Sequence, residues 1–431
     1  MAKVKNEFLP LSVLGNFPKE WEETTLSDVC HLVTDGTHDS PKPVVDGGYP
    51  LVTGKAIKDR QIDFSVTYNI SDDDHQKVID RSKPERNDIL FANIGNSIGD
   101  LVRIQTDRSF SIKNVALFKP DQSKIHPRFL EYFLLSPQVQ DFIKGSTRGS
   151  AQPFIGLGSL RGFPISLPSF EEQKNIGTLI GSLDDRITLL RETNSTLEAI
   201  AQALFKSWFV DFDPVRAKQE GRQPEGLDEA TAALFPDSFE QSELGEIPKG
   251  WASNVIKELL NRPTISRRFT KAQVLKHGET PVYEQGASIL LGYHNDVPTC
   301  KASPENPMFI FGDHTCVTKL SCQPFDISQN VILLNGSIRN TIWTYYAIHG
   351  KQKFEEYRRH WMELIVKNVV VPPQAICNHF AEIILPLQLS IEANEKTIQT
   401  LSDLRDTLLP RLISGQLRLP DAEEQIEAAT A

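Results

Sequence analysis

Two stretches of this chain carry the same apolar heptad seam 204 residues apart, and any fold of the chain has to use both. In the first, Ile176, Ile180, Leu183, Ile187, Leu190, Asn194, Leu197, Ala201, Leu204 and Trp208 follow one another in steps of four and three; in the second, Phe380, Ile384, Leu387, Ile391, Asn394, Ile398, Leu401, Arg405, Leu408 and Leu412 do the same. Sustained steps of this kind mark a coiled-coil seam. At about 1.5 Å per residue each run makes a helix of roughly 50 Å, longer than is needed to cap a small domain. If the two pair antiparallel with Asn194 opposite Asn394, every other layer also sets seam residue on seam residue: Trp208 on Phe380, Leu204 on Ile384, Leu197 on Ile391, Ile176 on Leu412. Only Leu183 opposite Arg405 is awkward. A buried Asn pair gives up stability to specify register. The same periodicity also fits a plainer arrangement, in which each helix packs on the globular block beside it. Pro386 and Pro410 fall inside the second run and predict a kink or a working end there.

The regions ahead of the helices repeat as well. LGNFPKEW (14–21) returns as LGEIPKGW (244–251), 230 residues later. YPLVTGKAI (49–57) is echoed by TPVYEQGASI (280–289), SIKNVALF (111–118) by ISQNVILL (327–334), and ISLPSFEEQ (165–173) by VVVPPQAIC (369–377). The shift falls from 230 to 204, so the second block is 26 residues shorter than the first. A repeat of this length is a domain, not a solenoid unit. The chain therefore divides into a globular domain (1–165), a helical region with its linker (166–243), a second globular domain (244–372), and a second helical region with a tail (373–431). Alternation in QNVILL and FIFGD, frequent Gly, Pro and Asn turns, and short helical patterns such as PRFLEYFLLS make each domain mixed α/β (α+β) around a twisted sheet. The expected architecture is two such domains and two long helices in an antiparallel coiled coil, duplicated about a pseudo-two-fold.

The net charge of -10 argues against nucleic acid, because phosphate neutralisation drives such binding. Its distribution changes the argument. Residues 1–165 hold 20 Lys/Arg and 21 Asp/Glu, and 244–372 hold 15 and 11, whereas 166–243 hold 7 and 15 and 373–431 hold 4 and 9. Neutral-to-basic blocks suit DNA, and acidic spacers suit another partner. Cys30, Cys300, Cys316, Cys322 and Cys377 form no C-x-x-C pair, as expected in a reducing compartment without a disulfide framework or zinc knuckle. Neither a signal-peptide-length apolar start nor a run of about 18 apolar residues is present. A cytoplasmic chain with no membrane partner is expected.

The order block, helix, block, helix, together with LPSFEEQKNIGTLIGSLDDRI (167–187), FKSWFVDFDPVRAK (205–218), FPDSFEQSELGEIPKGW (235–251) and LRDTLLPRLISGQL (404–417), resembles the specificity subunit of type I restriction-modification systems over nearly the whole chain. That resemblance implies two target recognition domains, each reading one half of a bipartite double-stranded DNA site, with the coiled coil setting the distance between halves. It also implies two modification (methyltransferase) subunits docked on the helical regions, which restriction subunits can join. S-adenosylmethionine then belongs to the modification subunits, and this chain binds no cofactor or metal. The docking candidates are Glu171, Glu172, Gln173, Phe205, Trp208, Phe209, Leu409 and Leu412. PPQAICNHF (372–380) lacks the Glu-Glu-Gln of the first copy, which puts the equivalent docking there in doubt.

Catalysis by this chain is not expected. It has no N-P-P-Y or D-P-P-Y tetrapeptide, no P-loop and no H-E-x-x-H. NIGNSIGD (93–100) is followed by the strand-like LVRIQTD, which makes it a hairpin or loop. GDHT (312–315) with Cys316 has no second ligand at helical spacing. Base reading needs Arg, Lys, Asn, Gln, Ser and Thr on loops, with further basic groups on phosphate. The candidates in the first block are Thr37, His38, Lys42, Asn93, Asn96, Ser97, Lys113, Asn114, Lys144, Arg148 and Gln152. In the second they are Arg267, Arg268, Lys271, His314, Thr315, Gln329, Asn330, Arg358 and Arg359. Solvated charge is the plain alternative for each, and about a third are expected to touch DNA. The shared Asn114 and Asn330 fit equally a strand that both copies need. The competing function is a structural adaptor that bridges two partner proteins and binds no DNA.

Overall fold

A computed structural model of the chain describes residues 11–146, 153–286, 288–356 and 358–430. The chain forms two compact units, each discontinuous in sequence: the first lies within Met1–Ile187 and Gln399–Ala431, the second is Thr188–Ile398. Their boundaries cut the long helices and not the joints between blocks and spacers. Each globular block thus shares a unit with one end of the helix pair.

The strands of the first unit are β1 (Glu22–Thr25), β2 (Cys30–Asp35), β3 (Tyr49–Val52), β4 (Tyr68–Ile70), β5 (Ile89–Phe91), β6 (Leu101–Arg103), β7 (Ser111–Ile112), β8 (Ala116–Pro120) and β9 (Pro164–Leu167). A four-stranded antiparallel sheet has the order β2-β8-β5-β6; a second sheet runs β4-β3-β7, with β3 parallel to β7; β1 pairs with β9. Ile89, Leu90, Phe91, Ala116, Leu117 and Phe118 are buried on both faces, which is why these strands read as continuous apolar runs and not as alternation. Leu90 and Leu117 meet Val52, Val102 and Ile112 in the core between the sheets. Helices α1 (Asp72–Ser82), α2 (Pro127–Leu135) and α3 (Pro137–Ser146) complete the block. Ser71 caps α1 by accepting from Asp74 N–H, and three Asp side chains occupy its first turn, where the helix dipole favours them.

The second unit repeats this topology with β10 (Ala252–Val255), β11 (Leu260–Asn261), β12 (Thr280–Tyr283), β13 (Leu290–His294), β14 (Met308–Gly312), β15 (Thr318–Ser321), β16 (Asp326–Ile327), β17 (Val331–Gly336) and β18 (Asn368–Val371). The sheets run β11-β17-β14-β15 and β13-β12-β16, again with one parallel pair, and β10 pairs with β18. The registers correspond too. Glu22 faces Leu167, and Ala252, 230 residues on, faces Val371, 204 residues on. Two deletions shorten the second block. Among the described residues, no counterpart of α1 separates β13 from β14, and none of α3 follows α5 (Thr341–Ile348).

The two long helices are α4 (Phe170–Phe209) and α6 (Gln374–Ile413), and α7 (Leu419–Thr430) follows. In the second unit Asn394 Nδ2 donates to Asn194 Oδ1 at 2.8 Å, Asn194 Nδ2 donates to the Ile391 carbonyl at 3.2 Å, and the Trp208 and Phe380 rings lie 6.1 Å apart. The helices pair antiparallel, and they also pack on their blocks, so the two arrangements weighed from periodicity coexist. In the first unit Arg405 resolves its awkward layer by leaving the seam and donating to Asp184 Oδ1 at 2.8 Å. Neither proline, at which a kink or a working end is expected, interrupts the second helix. α6 is assigned as one helix through Pro386 and Pro410, with Ile384 and Gln388 buried on either side of Pro386 so that packing outweighs the lost backbone bond.

The repeated octet has a physical reason. Trp21 N–H donates to Pro18 O at 3.1 Å and Trp251 N–H to Pro248 O at 3.0 Å, closing the same turn, and both indoles are buried. Trp251 packs against Phe209 and Phe212 at the end of α4. Trp21 lies beside Gly415, just past α6, where φ is +70 and an added Cβ would sit 2.3 Å from Pro18. Each octet seats the start of a block on the far end of a long helix.

Candidate nucleic-acid interface

In both units, loops at corresponding places in the topology are tied together. In the first, the segment after β2 meets the loop before β8: Thr37 N–H donates to Ile112 O at 3.0 Å, Asn114 N–H to Thr37 O at 3.2 Å, and His38 Nδ1 lies 3.0 Å from Asn114 Oδ1. Lys113 Nζ donates to Ser40 Oγ, and His38 Nε2 approaches Asp35 at 3.1 Å. Thr37, His38, Lys113 and Asn114 are thereby one cluster. Asn114 has φ +52 and Asn330, its counterpart, +59. The shared Asn is the left-handed residue that turns the chain into β8 and β17, a conformation Asn tolerates better than most side chains.

The loop from β5 to β6 carries Asn96 and Ser97 on the turn Gly95–Ser97. A Cβ on Gly54, in the segment after β3, would lie 3.0 Å from Ser97 Oγ. Asn93 at the base of this loop is buried, its Nδ2 donating to Ile155 O at 3.0 Å while its carbonyl accepts Ile155 N–H at 2.9 Å. Asn93 thus joins two loops, with its Oδ1 buried and without a hydrogen-bond partner among the described residues. Lys42 and Lys144 are exposed. Arg148 and Gln152 lie outside the described residues.

The second unit builds the same junctions with other side chains. Phe269 N–H donates to Ile327 O at 3.0 Å. Arg268 Nη1 donates to the carbonyls of Ser328 at 2.8 Å and Val331 at 2.7 Å, and desolvation, with Arg262 nearby, lowers its pKa. Arg268 is therefore a loop brace, not a free base reader. Arg267 stands over the Phe269 ring at 4.0 Å and pairs with Asp296 at 2.7 Å. Lys271, Gln329 and Asn330 are exposed. His314 N–H donates to Gln285 Oε1 at 2.9 Å and its Nδ1 lies 3.0 Å from Gln285 Nε2. Thr315 sits beside it, half-buried. Asp313 takes the place of Asn93, accepting His360 N–H on its carbonyl and Trp361 N–H on its carboxylate. Arg359 is largely exposed, 3.7 Å from Asp313. Arg358 pairs with Glu355, Glu356 and Glu363.

The docking candidates differ in exposure. Phe205, Trp208 and Phe209 are buried in the aromatic core of the second unit with Trp343 and Phe380, and Leu409 and Leu412 are buried in the first unit. Gln173 is buried too: its Oε1 accepts from His126 N–H at 2.9 Å and its Nε2 donates to Pro168 O at 3.0 Å, fastening the start of α4. Trp208 and Leu412 are inward as their seam positions require, and the flanking Phe205 and Phe209 are covered by the second block. Glu171 is exposed and Glu172 partly so; Ile200 is half-exposed on α4. Sequence reasoning missed Gln285 and Gly54, although the echo of YPLVTGKAI in TPVYEQGASI pointed to both.

Among the described residues no three His, Cys, Asp or Glu side chains could hold a metal. Desolvation, with Glu363 nearby, raises the Cys316 thiol to about 11, so at neutral pH it is protonated and a poor nucleophile. No described helix is long and apolar enough to cross a membrane.

Residues 18–199 match the family described as type I restriction modification DNA specificity domain. The chain is 22% identical over 437 residues to the type I restriction enzyme MjaIX specificity subunit of Methanocaldococcus jannaschii, covering 95% of this chain and 96% of that one. It is 27% identical over 266 residues to the HindI specificity subunit of Haemophilus influenzae, covering 55% of each. The crystal structure of a type I restriction-modification S subunit from M. genitalium shares the fold, with a TM-score of 0.55 at 16% identity over 92% of this chain and 96% of that one.

Proposed function

We infer that this chain, a member of the specificity subunits of type I restriction-modification systems, is the DNA-reading scaffold of such an assembly. Each unit reads one half of a bipartite double-stranded site through its loop cluster, and the helix pair sets the distance between the halves. The observation that carries this reading is the duplication itself: two domains of one topology present corresponding loops with different side chains. Two readers of one design and unlike loops suit a target of two unlike halves, roughly one helical turn or about 34 Å apart.

The chain itself performs no chemistry in this reading. Two modification subunits dock on its helical regions, and they bind S-adenosylmethionine and transfer the methyl group to adenine. Restriction subunits can join the same assembly, which works in the cytoplasm. The exposed or half-buried candidates Thr37, His38, Lys42, Asn96, Ser97, Lys113, Asn114 and Lys144 on one unit, and Arg267, Lys271, His314, Thr315, Gln329, Asn330 and Arg359 on the other, supply the phosphate and base contacts.

Long-read methylation mapping in cells holding this chain and its modification subunit tests the reading. The expected result is a bipartite adenine-methylated motif that disappears when the chain is deleted. An unchanged methylome, with the modification subunit active and in complex, would make the chain an adaptor that reads no DNA.

A further inference from the structure

In the first unit the block is held on α4 by four residues of one helical face: Gly177, Gly181, Asp184 and Asp185. One oxygen of Asp184 accepts from Arg60 Nη1 at 2.5 Å and Tyr132 Oη at 2.6 Å, and the other accepts from Arg405 Nη1 of α6 at 2.8 Å. Arg60 also donates to Glu131 at 2.9 Å, and Glu131 accepts from Arg103 Nε at 3.0 Å. Asp185 receives Arg128 Nη2 on both oxygens, at 3.0 and 2.7 Å. The glycines bring α2 in close. A Cβ on Gly177 would lie 3.3 Å from Phe129 N, and one on Gly181 would lie 1.8 Å from the Arg128 guanidinium. Burial pushes the Asp184 carboxyl up, but Arg60 beside it and the hydrogen bonds from Tyr132 and Arg405 leave it below the ordinary carboxylate range.

The second unit fastens its block without glycines or an arginine fork: Gln388 on α6 donates to Leu320 O at 3.2 Å, Glu392 accepts Cys322 N–H at 2.7 Å, and Lys319 pairs with Glu395 at 2.5 Å. At the 204 shift the four positions become Ala381, Leu385, Gln388 and Leu389. Tyr346 of α5 donates to Glu198 at 3.1 Å, and its block sits on the rings of Phe205, Trp208, Phe209, Trp343 and Phe380.

We propose that this track of glycines and aspartates sets the angular position of the first domain on the helix pair, and through it the number of base pairs accepted between the two half-sites. The proposal rests on the DNA-reading function above. One added base pair moves a half-site by about 3.4 Å along the duplex and about 34° around it. A domain free to turn that far accepts neighbouring spacings. Apolar burial has no direction and resists such a turn weakly. Charge-assisted bonds from arginine forks are directional, and the backbone of α2 lies close over Gly177. Asp184 and Asp185 are thus positioning residues, acting through the domain they hold.

The test is methylation mapping of complexes assembled with Asp184→Asn, Arg405→Met or Arg128→Gln. The expected result is that both half-site sequences stay as in the parent while methylation at targets one base pair longer or shorter rises about tenfold relative to the native spacing, equivalent to about 1.4 kcal/mol. An assembled Asp184→Asn complex that keeps a single spacing, even with less methylation overall, overturns the proposal, because a purely structural role lowers yield without touching spacing. If Asp184→Asn does not assemble, Arg128→Gln, which removes a partly exposed pair, decides by the same readout. A parent complex without any bipartite motif would instead remove the DNA-reading function on which the track depends.

Discussion

Asn394 donates to Asn194 across a helix seam that is mostly apolar. Asn194→Ala leaves the Asn394 amide without that partner and should cost about 1–2 kcal/mol, measured by thermal or urea unfolding. Converting both to Leu should raise the melting temperature and loosen register, the usual exchange at a polar seam layer. Gly36 allows the close approach that builds the first loop cluster, since a Cβ there would sit 2.0 Å from Ile112 O. Gly36→Ala should therefore cost about 2–3 kcal/mol, read from the urea midpoint. How far single residues were legible depended on where their partners lie in sequence. Heptad spacing put Asn194 opposite Asn394. It could not find Asp184 for Arg405, because Asp184 stands one place off the seam. Nor could it separate Arg267 from Arg268, because the carbonyls that hold Arg268 lie 60 and 63 residues away.

The duplicated elements were legible because corresponding stretches occupy corresponding sites: the octets end on buried tryptophans, and SIKNVALF and ISQNVILL both turn at a left-handed Asn. The deletion of α1 and α3 counterparts was visible only as a changing shift. Burial of the seam flank was not visible, since a heptad pattern does not say whether a block or a second protein covers Phe205. The packed elements also bury histidines. Desolvation lowers the pKa of His75 on α1, of His126 ahead of α2 and of His349 after α5. The unfolded chain then binds more protons than the folded one between the two sets of values. This stabilisation is complete above the ordinary histidine pKa of about 6.5 and is lost as pH falls through the folded values. Melting curves taken from about pH 8 to about pH 5 should show a falling midpoint that starts near 6.5, and His349→Gln should make the fall shallower.

On the scale of the molecule, acid is segregated into the spacers and the blocks are neutral to basic, as the proposed DNA-reading function requires. Affinity for a cognate duplex should fall steeply as salt rises, with a slope of about -0.9 per phosphate neutralised, in a titration of the assembled complex. Exchanging residues 1–165 for the block of another family member should alter one half-site and leave the other; a change in both would show that the units do not read independently. The octet turn adds a consequence of its own. Trp21 rests beside Gly415, and Arg418 Nη2 reaches Glu20 at 3.2 Å, so the segment that opens the first block and the segment that closes the second helix are neighbours within one unit. The seating of the first block therefore depends on a segment 398 residues away along the chain.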